Sequence, residues 1–162
     1  PGAFRLHLND GLGGFANSTS FPVAGVFSVL GFVVPGDWNA DFNMDVAAVS
    51  QQTNDVRVGY GNGQGDISGY GILPAAGANP TSGATGDFNG DGLLDLAVVE
   101  NTGNQIDVFL GQTGGTFGSG AVYAAAALNS PTSILTVDVN NDGRLDLVTN
   151  SNSLQLAVLL GQ

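Results

Sequence analysis

Residues 86–99 read GDFNGDGLLDLAVV, and this stretch decides the fold. Three aspartates, Asp87, Asp91 and Asp95, lie within nine residues and lead directly into a run of apolar residues. Like charges at this spacing repel one another, so a folded chain needs a reason to hold them together. The pattern indicates either a cation bound between the carboxylates or aspartates that cap their own backbone in Asx-turns.

The acidic motif occurs three times at a nearly constant interval. GDWNADFNMDVAAV begins at Gly36, GDFNGDGLLDLAVV at Gly86 and VDVNNDGRLDLVTN at Val137, so the first aspartates are 50 and 51 residues apart. A second motif, an alternating strand followed by a Gly-rich turn, has the same period and occurs at residues 4–15, 56–67 and 106–117, with the start of a fourth copy at 156–162. Two different motifs with one period indicate internal repeats, because such agreement does not arise by chance.

Each repeat has the same predicted order of elements. A short apolar strand leads into the acidic loop, a second strand and a polar turn follow, and then an alternating third strand. A Gly-rich turn and an edge strand rich in Gly and Ala end the unit, and no stretch shows helical periodicity over ten residues. Four antiparallel strands per repeat of about 50 residues are typical of one β-propeller blade. A two-sheet sandwich is the alternative, but it does not need a strict repeat.

The predicted fold is therefore all-β, a single propeller segment over residues 1–162 with two complete blades and a partial blade at each end. Closed propellers have about 4–8 blades, and unfinished blades expose unpaired strand edges. We expect the missing blades to come from other copies of the chain, as a ring or filament, or from a longer chain. The predicted boundaries are a partial blade at 1–25, blades at 26–75 and 76–127, and a partial blade at 128–162.

The acidic loops align as D-x-N-x-D-x-x-x-D and predict calcium sites. Positions 1, 3, 5 and 9 offer side-chain oxygens and position 7 a backbone carbonyl, an oxygen set that suits Ca²⁺ better than Mg²⁺ or Zn²⁺. We expect up to three ions, one in each loop. The predicted ligands are Asp37, Asn39, Asp41, Asn43 and Asp45 in the first loop, Asp87, Asn89, Asp91, Leu93 and Asp95 in the second, and Asp138, Asn140, Asp142, Arg144 and Asp146 in the third.

The first loop departs from the other two at position 6. Gly92 and Gly143 occupy this position in the second and third loops, where the chain turns sharply, but the first loop has Phe42. A bulky residue at positive φ costs roughly 1 kcal/mol or more. We therefore expect the Asp37–Asp45 site to be the weakest of the three, that is, weakened, distorted or empty.

The composition excludes several classes of partner. Lys and Arg total 3 against 14 Asp and Glu, a net charge of −11, which argues against binding to nucleic acid or anionic membranes. Residues 23–36, the longest apolar stretch, are too few to span a bilayer, which takes about 20 residues, and are predicted to form a buried strand. The chain has no Cys, so disulfides and thiolate metal sites are excluded.

The acidic loops, together with the linked segments LNDGLGGF and LGQTGGTF, resemble FG-GAP/VCBS repeats. The resemblance covers nearly the whole chain and implies blades of the integrin-α-like β-propeller type. It also implies a Ca²⁺ ion in each blade loop and an extracellular or cell-surface setting, as in cell adhesion. GDWNADFNMDVAAV departs from the family pattern at Phe42, so the resemblance supports a Ca²⁺ ion in this loop less strongly than in the other two.

No catalytic constellation is recognisable in the sequence, so we expect the chain not to be an enzyme. His7, the only histidine, lies on an alternating strand, and GYGNGQGD at 59–66 aligns with the other blade turns and not with a dinucleotide site. Trp38 is expected to pack between blades.

The leading hypothesis is a calcium-stabilised extracellular module for binding or assembly, with a protein or glycan as ligand. The alternatives are a lectin-like propeller, a self-assembling ring or filament subunit, and an accessory propeller of a larger secreted enzyme.

Overall fold

The computed structural model describes residues 3–15, 17–22, 30–51, 53–74, 77–118, 120–124 and 128–162. Every regular element in these ranges is a β-strand, and all strand pairs are antiparallel. Within them, no helix is long and apolar enough to cross a membrane. The predicted all-β class is therefore confirmed.

The strands form two complete four-stranded sheets, flanked in the chain by a hairpin and a three-stranded sheet. In chain order, the hairpin consists of β1 (Ala3–Leu8) and β2 (Asn17–Pro22). The first sheet consists of β3 (Leu30–Gly36), β4 (Asp45–Ser50), β5 (Asp55–Gly61) and β6 (Ile67–Pro74). The second consists of β7 (Pro80–Gly86), β8 (Asp95–Glu100), β9 (Gln105–Phe109) and β12 (Ala121–Ala124), with β10 (Gly111–Gln112) and β11 (Thr116–Phe117) as a short ladder between β9 and β12. The third consists of β13 (Pro131–Val137), β14 (Asp146–Ser151) and β15 (Leu156–Leu159).

The strand order in the complete sheets is β3-β4-β5-β6 and β7-β8-β9-β12, which confirms the predicted four-stranded antiparallel units.

The sequence repeat is reproduced in the register of the sheets. In each of the three sheets the last residue of the first strand pairs with the ninth residue of the acidic loop, which begins the second strand. An irregularity also recurs near the start of each first strand, so the bulge belongs to the repeat. The junction pairs are Gly36 with Asp45, Gly86 with Asp95, and Val137 with Asp146.

The second sheet lies between two hydrophobic cores, one shared with the first sheet and one with the third. Alternate residues of β8 supply the two cores: Leu96 and Val98 pack toward the first sheet, whereas Ala97 and Val99 pack toward the third. All six residues of β8 are buried, because side chains of a strand alternate between its faces and both faces are covered. Fully burying a Val or Leu side chain contributes about 1.5–3 kcal/mol, so these cores hold the sheets together.

The predicted buried strand at 23–36 is only partly observed. Residues 23–29 lie outside the described ranges, and 30–36 form β3. Val34 is buried in the first core, but Val33 is exposed. The prediction of a fully buried strand is wrong for the face of β3 that carries Val33. This strand lies at the end of its sheet, and only its other face, which carries Val34, packs against the second sheet.

Glu100, at the end of β8, is a buried carboxyl group. Its side chain is completely inaccessible, and neither carboxylate oxygen has a hydrogen-bond partner among the residues that the structure describes. Burial raises the pKa of Glu100 from 4.5 to about 7, and the nearby Asp107 carboxylate adds to the effect. Loss of the proton therefore places an unsolvated charge inside the second sheet.

We predict that Glu100 makes the protein less stable as the pH rises. The folded protein holds this proton more tightly than the unfolded chain, so the stabilisation is complete below pH 4.5 and is lost as the pH rises through about 7. The free energy of unfolding should fall by roughly 2–3 kcal/mol between pH 5 and pH 8 because of this group. Glu100→Gln should remove that part of the difference, as measured by urea unfolding at both pH values.

Asp10→Asn is the control for this experiment. Backbone N–H groups of Leu12 and Gly14 lower the pKa of Asp10, so this exposed carboxylate stays charged throughout the window from pH 5 to pH 8. Its substitution should leave the pH dependence unchanged. If Glu100→Gln also keeps the full wild-type difference, the assignment to Glu100 is wrong.

Candidate metal site in the acidic loops

The three acidic loops occupy equivalent places, each joining the first strand of a sheet to the second. The ninth residue of each loop, Asp45, Asp95 or Asp146, is completely buried. In the second loop, Oδ2 of Asp95 accepts the N–H of Phe88 at 2.8 Å and Oδ1 accepts the N–H of Gly111 at 2.7 Å. This carboxylate therefore ties the start of its own loop to Gly111, which lies just beyond the third strand of the sheet.

The same pair of hydrogen bonds is present in the other loops, at 2.8–3.0 Å. Burial raises the pKa values of Asp45 and Asp95, while the two backbone donors on each carboxylate act in the opposite direction. Two N–H donors compensate part of the desolvation of a buried carboxylate. Position 9 was predicted only as a metal ligand, and the structure places it as an anchor between backbone segments.

The glycine that donates to this anchor was missed at the level of the sequence. Gly61 and Gly111 lie so close to the loop that a Cβ would overlap the carbonyl oxygens of Met44 and Leu94. Gly161 makes the equivalent approach to Leu145 in the third sheet. The sequence does mark this glycine, because each predicted third strand ends in Tyr or Leu and is followed directly by Gly.

Positions 1, 3 and 5 lie on the exposed side of each loop and bond to its backbone. In the second loop, Asp87 accepts the N–H groups of Asp91 and Gly92 at 3.1 and 2.8 Å. Asn89 also accepts the N–H of Asp91, and Asp91 accepts that of Leu93 at 2.8 Å. The first and third loops have the same bonds. The bonds of positions 3 and 5 reach two residues along the chain and are Asx-turns, the alternative that the sequence left open. The bonds of position 1 reach four and five residues along the chain and close the loop.

As the loops stand, no three His, Cys, Asp or Glu side chains in the described ranges are close enough to share a metal ion. The chemistry of the donors nevertheless fits Ca²⁺, because every predicted ligand is an oxygen donor. A carboxylate has about four lone-pair sites, so an oxygen that accepts one N–H can still bind a cation. The side chains at positions 1, 3 and 5 are the ones that would hold the ion, with the carbonyls of Asn43, Leu93 and Arg144 at position 7.

The first loop is not distorted by Phe42. This residue has φ = 66°, its side chain is 97% exposed, and its N–H donates to Asp37 at 2.9 Å. Gly92 and Gly143 make the same bond in the other loops. The phenylalanine therefore adopts the left-handed backbone conformation that glycine takes elsewhere, and the hydrogen bonds of the loop are kept. The relative affinity of this loop stays a prediction.

Trp38, at position 2 of the first loop, packs between the first and second sheets as predicted. Its side chain is buried in the first core and lies beside Phe117 of the second sheet, with the ring centroids 6.2 Å apart and the rings tilted by 56°. The hydroxyl of Tyr60 donates to the carbonyl of Gly115 at 2.6 Å and links the same two sheets. The loop end of the molecule is thus held together by aromatic contacts as well as by the buried aspartates.

A comparison with protein families finds one family model, described as an FG-GAP-like repeat, that matches residues 37–98 and again residues 87–149. The two matches begin at Asp37 and Asp87, the first residues of the first and second acidic loops. No curated protein matches the chain. Because the two matches together cover residues 37–149 of the 162, the chain belongs to the FG-GAP-like repeat family.

Proposed function

We propose that this FG-GAP-like repeat protein is a calcium-stabilised β-propeller module that acts outside the cell or at the cell surface in binding or assembly, without catalysis. The observation that carries the proposal is the threefold recurrence of one loop with the same oxygen donors and the same hydrogen bonds. The structure holds each set of donors on an already ordered loop, so binding would require little reorganisation of the backbone.

Electrostatics supports a cation in each loop. Nine of the 14 acidic residues lie in these three loops, and the chain has only three Lys and Arg residues to oppose them. Burial raises the pKa of Asp95, and the neighbouring carboxylates of Asp91 and Asp87 raise it further. Three divalent ions would offset six of the 11 excess negative charges. A bound ion would therefore turn a repulsive cluster into a stabilising one.

The kind of site supports an extracellular setting. The donors at position 5 are exposed, those at position 1 are half-buried, and both bond to the backbone of their loop, so the ion would compete with existing hydrogen bonds. Calcium sites of extracellular modules bind with dissociation constants of about 10⁻⁴–10⁻³ M, which only a millimolar calcium concentration fills. The module would thus be fully stabilised outside the cell.

The second candidate is a metal-free scaffold in which the Asx-turns alone hold the loops. The specific observation in its favour is that every loop carboxylate already accepts backbone N–H groups. In that case the aspartates act as caps, and calcium would not change the stability. The two candidates are separated by the response of the protein to calcium and by the variants described below.

We predict that calcium raises the melting temperature and that a chelator lowers it. A ligand that binds only the folded state adds about 2.7 kcal/mol per site at a concentration 100 times its dissociation constant. Differential scanning calorimetry at several calcium concentrations, with magnesium at the same ionic strength as the control, would measure the effect. An identical melting temperature in millimolar calcium and in excess chelator would favour the metal-free scaffold.

We predict different consequences for two aspartates of the same loop. Asp91→Asn removes an exposed charge and should abolish the calcium response of the second loop with a small effect in chelator. Asp95→Asn places an amide against two backbone donors, so it should destabilise the protein by about 1–3 kcal/mol with or without calcium. Chemical unfolding of both variants in calcium and in chelator would test this. An Asp91→Asn protein with the full wild-type calcium response would contradict the proposed ligand role.

We predict that Phe42→Gly strengthens the first loop. Phe42 is almost fully exposed and loses little packing on substitution, whereas its φ of 66° is a strained conformation for any residue with a Cβ. The change should raise the calcium affinity of this loop toward that of the other two. Calcium titration of the variant beside wild type would show it, with Gly92→Ala as the matched opposite change. Unchanged affinity in both variants would mean that position 6 does not control binding.

A further inference from the structure

The second acidic loop contains an asparagine that is followed directly by glycine. Asn89 and Gly90 lie at positions 3 and 4 of this loop, and both residues are exposed. The first and third loops also have asparagine at position 3, but alanine and asparagine follow it there. A backbone nitrogen reaches the side-chain amide of the preceding residue most easily when it belongs to glycine, because no Cβ obstructs the approach. The second loop is therefore the one of the three that is sterically open to this attack.

The nitrogen of Gly90 carries a hydrogen bond that its counterparts lack. Its N–H donates to Oδ1 of Asp87 at 2.7 Å. A carboxylate at this distance can take the proton from the nitrogen as the nitrogen attacks, which is the role of a general base. In the part of the chain that the structure describes, the carboxylates of Asp37 and Asp138 accept N–H groups from positions 5 and 6 of their loops and none from position 4.

The side-chain amide of Asn89 is held at both polar atoms by Asp91. Its Oδ1 accepts the N–H of Asp91 at 2.9 Å, and its Nδ2 donates to Oδ2 of the same residue at 2.9 Å. When the amide carbon is attacked, negative charge develops on Oδ1, and the N–H already aimed at this oxygen stabilises that charge. The loop thus supplies a nucleophile, a base and a donor to the developing charge, all within five residues.

We propose that Asn89 is a site of spontaneous deamidation promoted by its own loop. The nitrogen of Gly90 forms a bond to Cγ of Asn89 and gives its proton to Asp87, which releases the proton to solvent. The bond from Cγ to Nδ2 breaks as Nδ2 takes up a proton from water and leaves as ammonia, and a five-membered succinimide ring remains. Water then opens the ring at either carbonyl, which leaves aspartate or isoaspartate at position 89.

Both products change the loop. Each adds a negative charge beside the three aspartates that the loop already holds, so the repulsion between carboxylates increases. The isoaspartate also carries an extra methylene group in the main chain, which breaks the pair of hydrogen bonds between Asn89 and Asp91. Since Asn89 is a proposed calcium ligand, its modification would alter that site; this consequence rests on the proposed function, whereas the reaction itself does not.

Peptide mapping by mass spectrometry tests the proposal on the full chain, incubated in chelator at neutral pH so that the result does not depend on calcium. Asn62 is the internal control, because it is also exposed and followed by glycine, and no carboxylate accepts the N–H of Gly63 among the described residues. In the folded chain Asn89 should lose its amide about a hundredfold faster than Asn62, the lower end of what positioned acid–base groups contribute. In urea the two rates should become similar. Equal rates in the folded chain would overturn the proposal.

Two variants separate the geometry of the loop from its sequence. Gly90→Ala should keep the fold, because Ala40 occupies this position in the first loop at φ = 58° and a Cβ at Gly90 meets no atom within 4 Å. Asp87→Asn removes the carboxylate that accepts the N–H of Gly90. Each change should slow the loss of the amide at Asn89 at least about tenfold.

An unchanged rate at Asn89 in a folded Asp87→Asn protein would show that the asparagine-glycine pair alone sets the rate, and would also overturn the proposal. If the Asp87 variant does not fold, the comparison of Asn89 with Asn62 in the wild-type chain, folded and in urea, still decides the question.

Discussion

The loop end of each sheet depends on one buried carboxylate with two backbone donors. Asp45, Asp95 and Asp146 begin the second strands, and each joins an N–H at the start of its loop to an N–H at the end of the third strand. A buried charge is tolerable only when it is fully hydrogen-bonded, so this contact fixes three segments of chain at once. The close approach of Gly61 and Gly111 to the loops follows from the same contact. The aspartates at position 5 are exposed at the surface of this frame.

This division of roles would allow one motif to serve both stability and binding. The inner aspartate belongs to the fold, and the outer donors at positions 1, 3 and 5 close the loop through hydrogen bonds to its backbone. Hydrogen bonds at the surface contribute little net stability, so a cation can join or replace them at small cost. Below the loops, the two apolar cores on either side of β8 hold the neighbouring sheets in place.

Much of the fold was predictable because the period of the sequence is the period of the structure. The alternating third strands and the acidic loops placed the strands of the complete sheets, and Trp38 could be assigned to packing because Phe88 and Val139 stand at its repeat position. The site was less predictable. Asp95 and Asp91 are the same residue type in one motif, and only their burial, set by the third strand, gives them different roles. Phe42 likewise adopts positive φ because the surrounding hydrogen bonds determine the loop, a tertiary effect that local propensity does not contain.

The proposed calcium sites consist of the outer oxygens of the repeated loops, on a frame built by the inner aspartates. Isothermal titration calorimetry of the metal-free chain with calcium would test them, because it counts the bound ions without reference to stability. We expect three ions per chain, with the weakest binding in the loop of Phe42. A titration that gives no heat of binding at millimolar calcium, confirmed by equilibrium dialysis that finds no bound ion, would contradict this expectation.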